Sequence, residues 1–559
     1  MFGGGKMEGI KKLKTKFLEI YKKVVEKICI HPESVETKFS NWFDNKKKIA
    51  FFTTLIVGIL AHITFITEMI LSQDGVWNSL SYLKPGGWEI VLGRWGIVIA
   101  GFIVNYLAIP NITGVVCVVI IAMSSVLLVD VLKLKSKLGV FITSAAMAVA
   151  PTLAGTMIYA YTSVAYCVAM LVSIFIVWLL FNGNKIINTI IATALFIFSL
   201  AIYQSYIGVT VGLAVIRLIK DLFEEDYKIK DFFITVLRIG IVVIIGGLLY
   251  ASITNIIFEQ NNLSGATYKG MENISIMNTL KNLKVSISRS YKDFVDFYFG
   301  DSIIFNTVYS RDVVYKVLFA TVILLEIILI ISNKMWKRPI HMLFILALNI
   351  VLPVAFNVIL LLATDTITYI LTAAQMILVI PFAVMICEMS NGKFTWIFRW
   401  ITIGSLLVIV MTYYLATNAS YTTLKLTYDQ TYATVLRMID RIEQTEGYRP
   451  EQRIMINGIV EAGKDYRYFR TNNIREYSFA TLFRDCPVFH GTYSGMNGTW
   501  EKYLNNYMGM KINFCSVEEY VEIVNTEEYK ALNVFPEDNS IKIINDIIVV
   551  KMRENAIMP

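Results

Sequence analysis

Charged residues are scarce in this chain of 559 residues, where Asp, Glu, Lys and Arg together make up 17%. Soluble domains usually have about a quarter of their residues charged. Hydrophobic residues reach 56%, and the mean hydropathy is +0.58. This balance excludes an ordinary soluble domain and predicts a polytopic α-helical membrane protein.

Cysteine is also rare, and none of the six cysteines has the spacing of a zinc site. Cys29 precedes the first apolar run, where a reduced thiol is expected. Cys486 and Cys515 lie in the polar C-terminal region, where they could pair in an oxidising compartment. The sequence leaves that disulfide open, and it predicts neither a bound metal nor a cofactor.

Positive charge is concentrated at the N-terminus, where residues 1–48 contain twelve lysines against six acidic residues. Apolar residues at helical spacing in 11–30 predict an amphipathic segment on the anionic inner surface of the membrane. The positive-inside rule explains this charge better than nucleic-acid binding does. We therefore expect a cytoplasmic N-terminus and no nucleic-acid partner.

Long apolar runs predict about eleven membrane spans, joined by loops that are alternately basic and nearly uncharged. The spans are expected near 49–72, 112–132, 138–158, 163–181, 186–204, 206–222, 231–254, 315–332, 340–362, 367–388 and 397–416. The run 95–109 has only about three-quarters of the length of a span. Because a crossing there would reverse the charge pattern, we expect an embedded or interfacial helix on the outer side.

The hydropathy profile divides the chain into three parts. Residues 1–48 form the basic segment, 49–417 the transmembrane domain, and 418–559 a C-terminal domain outside the membrane. Within the transmembrane domain, two outer loops are expected at 73–111 and 255–314. Helical and β-like stretches alternate in the C-terminal part, which predicts a small α/β domain.

A lone acidic residue, Asp74, follows the first apolar run at the expected boundary between water and lipid. The segment around it also holds Glu89 and Arg94. A carboxylate in this place could take the proton of an acceptor hydroxyl, and a cation could stabilise a departing phosphate. The same residues would also suit a structural ion pair beside an interfacial aromatic belt.

The expected outer side collects further polar groups. Tyr203, Gln204 and Tyr206 interrupt two apolar runs, and they either line a cavity or cap a tight helical hairpin. Glu68 and Asp365 are additional acidic candidates at the ends of predicted spans.

The long outer loop contains apolar residues at near-helical spacing over 278–300, which predicts an interfacial helix. Its basic residues are Lys281, Lys284, Arg289 and Lys292. These cations either bind phosphate or form a solvated helix face.

Four short stretches carry a resemblance that extends over most of the chain. They are QDGVWNSL at 73–80, GRWG at 93–96, SLAIYQSYIG at 199–208 and FPEDNSIKIINDIIVVKM at 535–552. In their order and spacing they resemble the Gtr-type (type II) bacterial membrane glucosyltransferases, within the GT-C superfamily of integral-membrane glycosyltransferases. The resemblance implies a GT-C-like fold in a multi-pass protein of the bacterial plasma membrane.

The resemblance also implies an activity. It predicts transfer of glucose from a polyprenyl-phosphate carrier to a cell-surface polysaccharide on the outer leaflet, by direct displacement with inversion. A donor-making glycosyltransferase and a donor flippase would be functional partners. Two other functions stay open: a flippase or exporter of lipid-linked saccharides, and a polysaccharide polymerase. Transporters usually contain inverted repeats, and this sequence has no evident internal symmetry.

The family's first-loop acid maps onto Asp74, which would be the catalytic base. Gln73 and Gly75 flank it where many relatives have a second acid. This departure from the family's pattern argues against a paired-acid or metal-binding site, and we expect no metal. The phosphate of the donor would be bound by Arg94, Lys281, Arg289 and Lys292. The sugar pocket would be formed by Trp77, Tyr203, Gln204 and Tyr206.

Overall fold

The computed structural model describes residues 32–68, 75, 78, 87–265, 276–300, 311–364, 366, 368–390, 392, 395–458 and 493–558. The chain forms two compact units, residues 1–49 and 50–559. The amphipathic segment predicted at 11–30 lies outside the described residues.

The described part of the first unit is a short aromatic helix and the turn after it. The ring of Phe39 stacks on that of Phe43 at 5.4 Å, and the Lys47 ammonium lies 5.0 Å from the Trp42 ring centroid. Lys47 also pairs with Asp44 at 3.5 Å. The Lys47 side chain therefore packs on the Trp42 ring just before the first apolar run.

The described helices from the N-terminus to residue 260 are α1 Pro32–Trp42, α2 Asn45–Thr67, α3 Gly87–Val91, α4 Gly96–Ala100, α5 Pro110–Leu132, α6 Lys137–Val149, α7 Pro151–Met157, α8 Ala160–Phe181, α9 Lys185–Ile202, α10 Ile207–Phe223 and α11 Ile229–Gln260. The later helices are α12 Ile276–Phe299, α13 Arg311–Ser332, α14 Pro339–Phe356, α15 Ile359–Leu362, α16 Val379–Met389, α17 Thr395–Glu443, α18 Tyr493–Lys502, α19 Val517–Val524 and α20 Glu527–Lys530. Short 3-10 turns occupy Gly101–Val104, Gln204–Tyr206, Met335–Lys337, Ile370–Thr372 and Ala374–Leu378, and a π turn occupies Tyr503–Tyr507.

In the described part of the chain, nine helical segments are long and apolar enough to cross a membrane. A polytopic membrane protein is therefore the class of this chain, as its composition predicts. Two of the eleven expected spans, 206–222 and 367–388, are not among these nine. Helix α10 carries Arg217, Lys220 and Asp221, and the run expected at 367–388 begins with 3-10 turns before α16. The count of eleven stays a prediction.

The apolar run at 95–109 does not form a membrane-spanning helix. It folds into α4 and one 3-10 turn, Gly101–Val104, and Asn105 then takes a left-handed conformation with φ +47°. Nine helical residues reach only about 14 Å at 1.5 Å per residue, half of the hydrocarbon thickness. The run is therefore too short to cross as one helix, and its embedded or interfacial position on the outer side stays a prediction.

Helix α8 lies at the centre of the bundle, where it packs against α5, α9 and α10. Small residues such as Ala165, Ala169 and Ser173 are buried along it. Small side chains allow helix backbones to approach closely when no hydrophobic effect drives them together in lipid. By contrast, α11 exposes most of its apolar side chains, as a helix facing lipid does.

The C-terminal region contains a three-stranded sheet in the order β1-β3-β2, with β1 Arg453–Asn457, β2 Ile541–Ile544 and β3 Ile547–Lys551. Strands β1 and β3 are parallel, and β2 and β3 form an antiparallel hairpin. Asn545 and Asp546 form its turn with φ of +52° and +62°, as a two-residue hairpin turn requires. The strands and the helices predicted in this region are confirmed within 453–458 and 493–558.

Helix α17 runs through the expected boundary between the last span and the C-terminal domain. Its residues Val435, Met438 and Ile442 pack in one core with Ile456 and Val550 of the sheet. The boundary expected at 417 therefore falls inside a continuous helix. The fall in hydropathy marks where the apolar run ends, and it does not mark the end of the helix.

Candidate active site

Two of the family-like motifs, GRWG and SLAIYQSYIG, lie against each other in the structure. A Cβ placed on Gly96 would come within 2.8 Å of the backbone carbonyl carbon of Ala201 and 2.9 Å of the nitrogen of Ile202. Only glycine allows this approach of one backbone to another. The contact joins the short helix α4 to the end of α9.

Gln204 holds the turn that precedes Arg94. Its side-chain nitrogen donates hydrogen bonds to the carbonyl of Leu92 at 3.0 Å and to the Tyr250 hydroxyl at 2.7 Å. The Tyr250 hydroxyl donates in turn to the carbonyl of Gly93 at 3.0 Å. Gly93 takes a left-handed conformation with φ +74°. Both amide hydrogens of Gln204 are thus used to fix the backbone at Arg94.

Arg94 extends from this turn over an aromatic cluster. Its guanidinium carbon lies 4.7 Å from the ring centroid of Tyr203. The Tyr166 ring stacks on Tyr203 at 4.7 Å and 21°, and the Tyr206 ring meets Tyr203 edge-on at 6.1 Å. The hydroxyl of Tyr203 lies 3.2 Å from that of Tyr369. A cation held on aromatic faces can offer its planar donors to a phosphate.

The break at Tyr203 matches one of the two interpretations that the sequence leaves open. Tyr203 is extended, one 3-10 turn covers Gln204–Tyr206, and α10 starts at Ile207. The geometry is that of a tight helical hairpin. The side chains of the turn are buried and hydrogen bonded to other segments, and Ser205 donates to the carbonyl of Thr372 at 2.9 Å.

The sequence does not indicate three tyrosines of this cluster as site residues: Tyr166, Tyr250 and Tyr369. Each lies toward the end of an apolar run that the charge pattern assigns to the outer side. Tyrosine at that end of a run is the signal that could have identified them. Their contacts join segments up to 166 residues apart in sequence, such as Tyr203 and Tyr369, and periodicity cannot predict such pairs.

Helix α12 confirms the helix expected over 278–300, and its interfacial position stays a prediction. The helix is anchored to Thr364, Thr366 and Thr368. The Arg289 guanidinium donates to the carbonyls of Thr364 and, at 2.7 Å, Thr366. Thr368 donates to the Asp293 carboxylate at 2.5 Å. The guanidinium donors of Arg289 thus bond to backbone carbonyls, so Arg289 has a structural role. Asp365 belongs to the same stretch of sequence but lies outside the described residues.

The other cations proposed for α12 are placed differently. Lys281 and Lys292 are exposed on the helix surface. The stretch after Thr368 continues to Tyr369 and Thr372, which contact Tyr203 and Ser205. Helix α12 and the aromatic cluster are therefore linked through one short segment of chain.

The acidic candidates are distributed over several places. Asp74, together with Trp77, lies outside the described residues. Glu89 is buried, and its backbone carbonyl accepts a hydrogen bond from the Arg94 backbone N–H at 2.8 Å.

The remaining described acid, Glu68, belongs to a separate ion-pair cluster. Its carboxylate lies 3.7 Å from the Lys425 ammonium, which also pairs with Asp429 at 2.6 Å. The hydrogen bond to Asp429, helped by Glu68 and opposed by partial burial, raises the pKa of Lys425.

No group of three His, Cys, Asp or Glu side chains that could hold a metal occurs among the described residues. Because Asp74 and Asp365 are not among them, the expected absence of a metal stays a prediction. Cys515 is a buried free thiol 3.0 Å from the Tyr493 hydroxyl. Its possible partner Cys486 lies outside the described residues.

Comparison with known families gives one match. The model of a family described as glucosyl transferase GtrII matches residues 64–387. This range is more than half of the chain and contains every predicted site residue, but not α17 or the sheet. The resemblance at 535–552 therefore lies outside it. No curated protein and no solved structure matches the chain.

Proposed function

The chain belongs to the GtrII glucosyl transferase family, and we propose that it moves glucose from a polyprenyl-phosphate carrier to a cell-surface polysaccharide outside the bacterial plasma membrane. The family membership makes it a membrane glucosyltransferase. The carrier, the acceptor and the side of the membrane are parts of the proposal. The observation that carries it is the position of Arg94 on the Tyr203 ring, where the two family-like motifs meet.

The proposed reaction is a single displacement. The acceptor hydroxyl oxygen bonds to the anomeric carbon while the bond from that carbon to the phosphate oxygen breaks. The electron pair leaves with the polyprenyl phosphate, and Asp74 takes the proton of the hydroxyl. Arg94 stabilises the charge that grows on the phosphate. Displacement from the opposite face inverts the anomeric carbon.

Aromatic groups support the sugar side of this proposal. Tyr166, Tyr203 and Tyr206 form a compact aromatic cluster beside Arg94, and Trp77 stays a further candidate for the sugar pocket. Lys281 and Lys292 are exposed cations that suit a lipid-linked phosphate. Arg289 supports the site indirectly, because its hydrogen bonds hold Thr364 and Thr366 in place.

The decisive experiment compares acidic residues in a transfer assay with lipid-linked glucose and purified protein in nanodiscs. We expect Asp74→Asn to fold normally and to lose activity by at least about a hundredfold, the usual contribution of a positioned base. Asp231→Asn is a matched control, because Asp231 forms an exposed ion pair with Lys185 at 3.1 Å. Full activity of Asp74→Asn would reject the assigned base.

The product distinguishes this function from its two alternatives. One glucose added to each acceptor site supports the proposal, whereas long chains would identify a polymerase. Movement of the lipid-linked sugar across the bilayer without chemical change would identify a flippase.

A further inference from the structure

A cavity of about 210 Å³ opens at the end of the helix bundle opposite the aromatic cluster. The C-terminal ends of α5, α10, α13 and α16 meet there, with the turns that follow α5, α10 and α13. This is the end that the alternating charge of the loops assigns to the cytoplasm. None of the proposed glucosyltransferase residues lines the cavity.

Three lysines line the cavity. Lys220, in the last turn of α10, is 5% exposed, and Lys133 and Lys135 follow the end of α5. Lys220 pairs with Glu224 at 3.1 Å. Among the described residues, Lys133 and Lys135 have no ion pair, and both are exposed. Two cations that form no ion pair with a described carboxylate thus face the cavity, whose lining also includes Glu224 and Glu388.

Arg217 lies one turn behind Lys220, in an ion pair with Asp221. It is 3% exposed, and it bonds to Asp221 at 2.9 Å and to the carbonyl of Val131. Its nearby charge, together with partial burial, lowers the pKa of Lys133. Like charges are therefore crowded at the cavity, and an anion placed there would relieve the repulsion.

The acidic groups around the cavity are already engaged. Burial would raise the pKa of Glu224, but the hydrogen bond from Lys220 and the charges of Lys135 and Lys133 lower it. The Glu388 carboxylate accepts from the backbone N–H groups of Lys135 and Ser136 at 2.6 and 3.0 Å, and from the Ser136 hydroxyl at 2.6 Å. Glu388 thus caps the start of α6 and forms no ion pair with a lysine among the described residues.

The remaining wall is apolar and belongs to the ends of membrane-spanning helices. It includes Leu132 of α5, Leu329 of α13 and Met385 of α16, and Asn333 adds a polar amide at the rim. A cavity with cations on one side and helix ends on the other suits an amphiphile whose charged group lies at headgroup level.

We propose that this cavity binds a phosphate group, with Lys133, Lys135 and Lys220 as its cationic contacts. The phosphate chemistry is common to an anionic lipid headgroup and to free inorganic phosphate. The apolar wall favours the lipid headgroup. The site is separate from the proposed transfer reaction and does not depend on it.

The test uses the full-length protein in nanodiscs and a matched pair of double variants. Lys133→Gln/Lys135→Gln removes two cavity cations, and Lys228→Gln/Lys230→Gln removes two exposed lysines with the same spacing at the same end of the bundle. Thermal unfolding is measured in phosphatidylcholine alone, with added phosphatidylglycerol, and with added inorganic phosphate.

We expect phosphatidylglycerol to raise the unfolding temperature of the wild type and of the Lys228/Lys230 variant, but not of the cavity variant. A selective effect of inorganic phosphate alone would support the site and identify free phosphate as its ligand. An equal response of both double variants, or no response of the wild type, would overturn the proposal.

Native mass spectrometry provides a second measurement that does not depend on the double variant folding. Each single variant, Lys133→Gln or Lys135→Gln, is expected to weaken lipid retention about fivefold, the usual effect of one lysine at an anionic surface. Lys133→Arg keeps the charge and should retain the lipid. Retention unchanged by both single Gln variants would overturn the proposal.

Discussion

The guanidinium carbon of Arg94 lies 4.7 Å from the ring centroid of Tyr203. Arg94 belongs to the first outer loop, and Tyr203 to the break between α9 and α10. The sequence places both on the expected outer side, and the structure adds that one packs on the other. The pair joins a potential phosphate-binding cation to aromatic rings that suit a sugar.

We expect Arg94→Lys to lower kcat/KM for glucose transfer by about tenfold, because lysine keeps the charge but loses the planar donors and the stacking. Arg94→Ala should lower it further. The control is Arg437→Lys, an exposed arginine on α17 whose replacement should leave transfer unchanged. Wild-type activity of Arg94→Lys would show that the planar guanidinium has no part in transfer.

Gly93→Ala should destabilise the protein by about 1–3 kcal/mol, the cost of a left-handed conformation at a residue with a side chain. A Cβ at Gly93 would also lie 2.4 Å from the Tyr250 hydroxyl. Gly93→Ala combined with Tyr250→Phe should therefore lose less stability than the two single changes together. Thermal unfolding in detergent measures each variant.

Gly240→Ala is the control for this prediction, because a Cβ at Gly240 would meet no atom within 4 Å. Alanine has a higher helix propensity than glycine, so this variant should be as stable as the wild type or slightly more stable. Equal unfolding temperatures for Gly93→Ala and Gly240→Ala would contradict the strain assigned to Gly93.

Local sequence signals account for much of the fold. The hairpin of β2 and β3 was predictable because apolar runs flank Asn545 and Asp546, two residues that tolerate positive φ. Helix α12 was predictable because its apolar residues recur at helical spacing. In both cases the signal and the structure that it predicts lie within about 25 residues of sequence.

The candidate site was less predictable, because its geometry depends on contacts between distant segments. Gln204 is a predicted sugar-pocket residue, yet both of its amide hydrogens bond to Leu92 and Tyr250. Arg289 is a predicted phosphate ligand, yet it donates to the carbonyls of Thr364 and Thr366. A polar side chain in a sequence shows which bonds it can make, and only the fold shows which partners take them.

Arg289→Gln should lower the stability by about 1.5–3 kcal/mol, the usual value of hydrogen bonds from a charged donor. Lys292→Gln, less than one helical turn further along α12, should leave the stability unchanged, because Lys292 is exposed. Thermal unfolding in detergent separates the two. If Lys292 binds the donor phosphate, its variant should instead raise KM for lipid-linked glucose. A loss of stability in both variants, or in neither, would contradict the structural role of Arg289.

The orientation of the chain can be tested by cysteine labelling in intact cells. Of the six native cysteines, Cys117, Cys167, Cys387 and Cys515 are buried in the structure. All six are replaced by serine to give a background without thiols.

In this background, Asp74→Cys should react with an impermeant maleimide added outside, because the proposed base must meet an external acceptor. Lys228→Cys should react only after the membrane is permeabilised, because it lies in a loop that the positive-inside rule assigns to the cytoplasm. Five expected spans lie between these two positions: α5, the segment of α6 and α7, α8, α9 and α10. A sixth crossing in the stretch from 95 to 109 would place both cysteines on the same side. Labelling of Asp74→Cys only after permeabilisation would exclude transfer at the external face and would require the donor to be used in the cytoplasm.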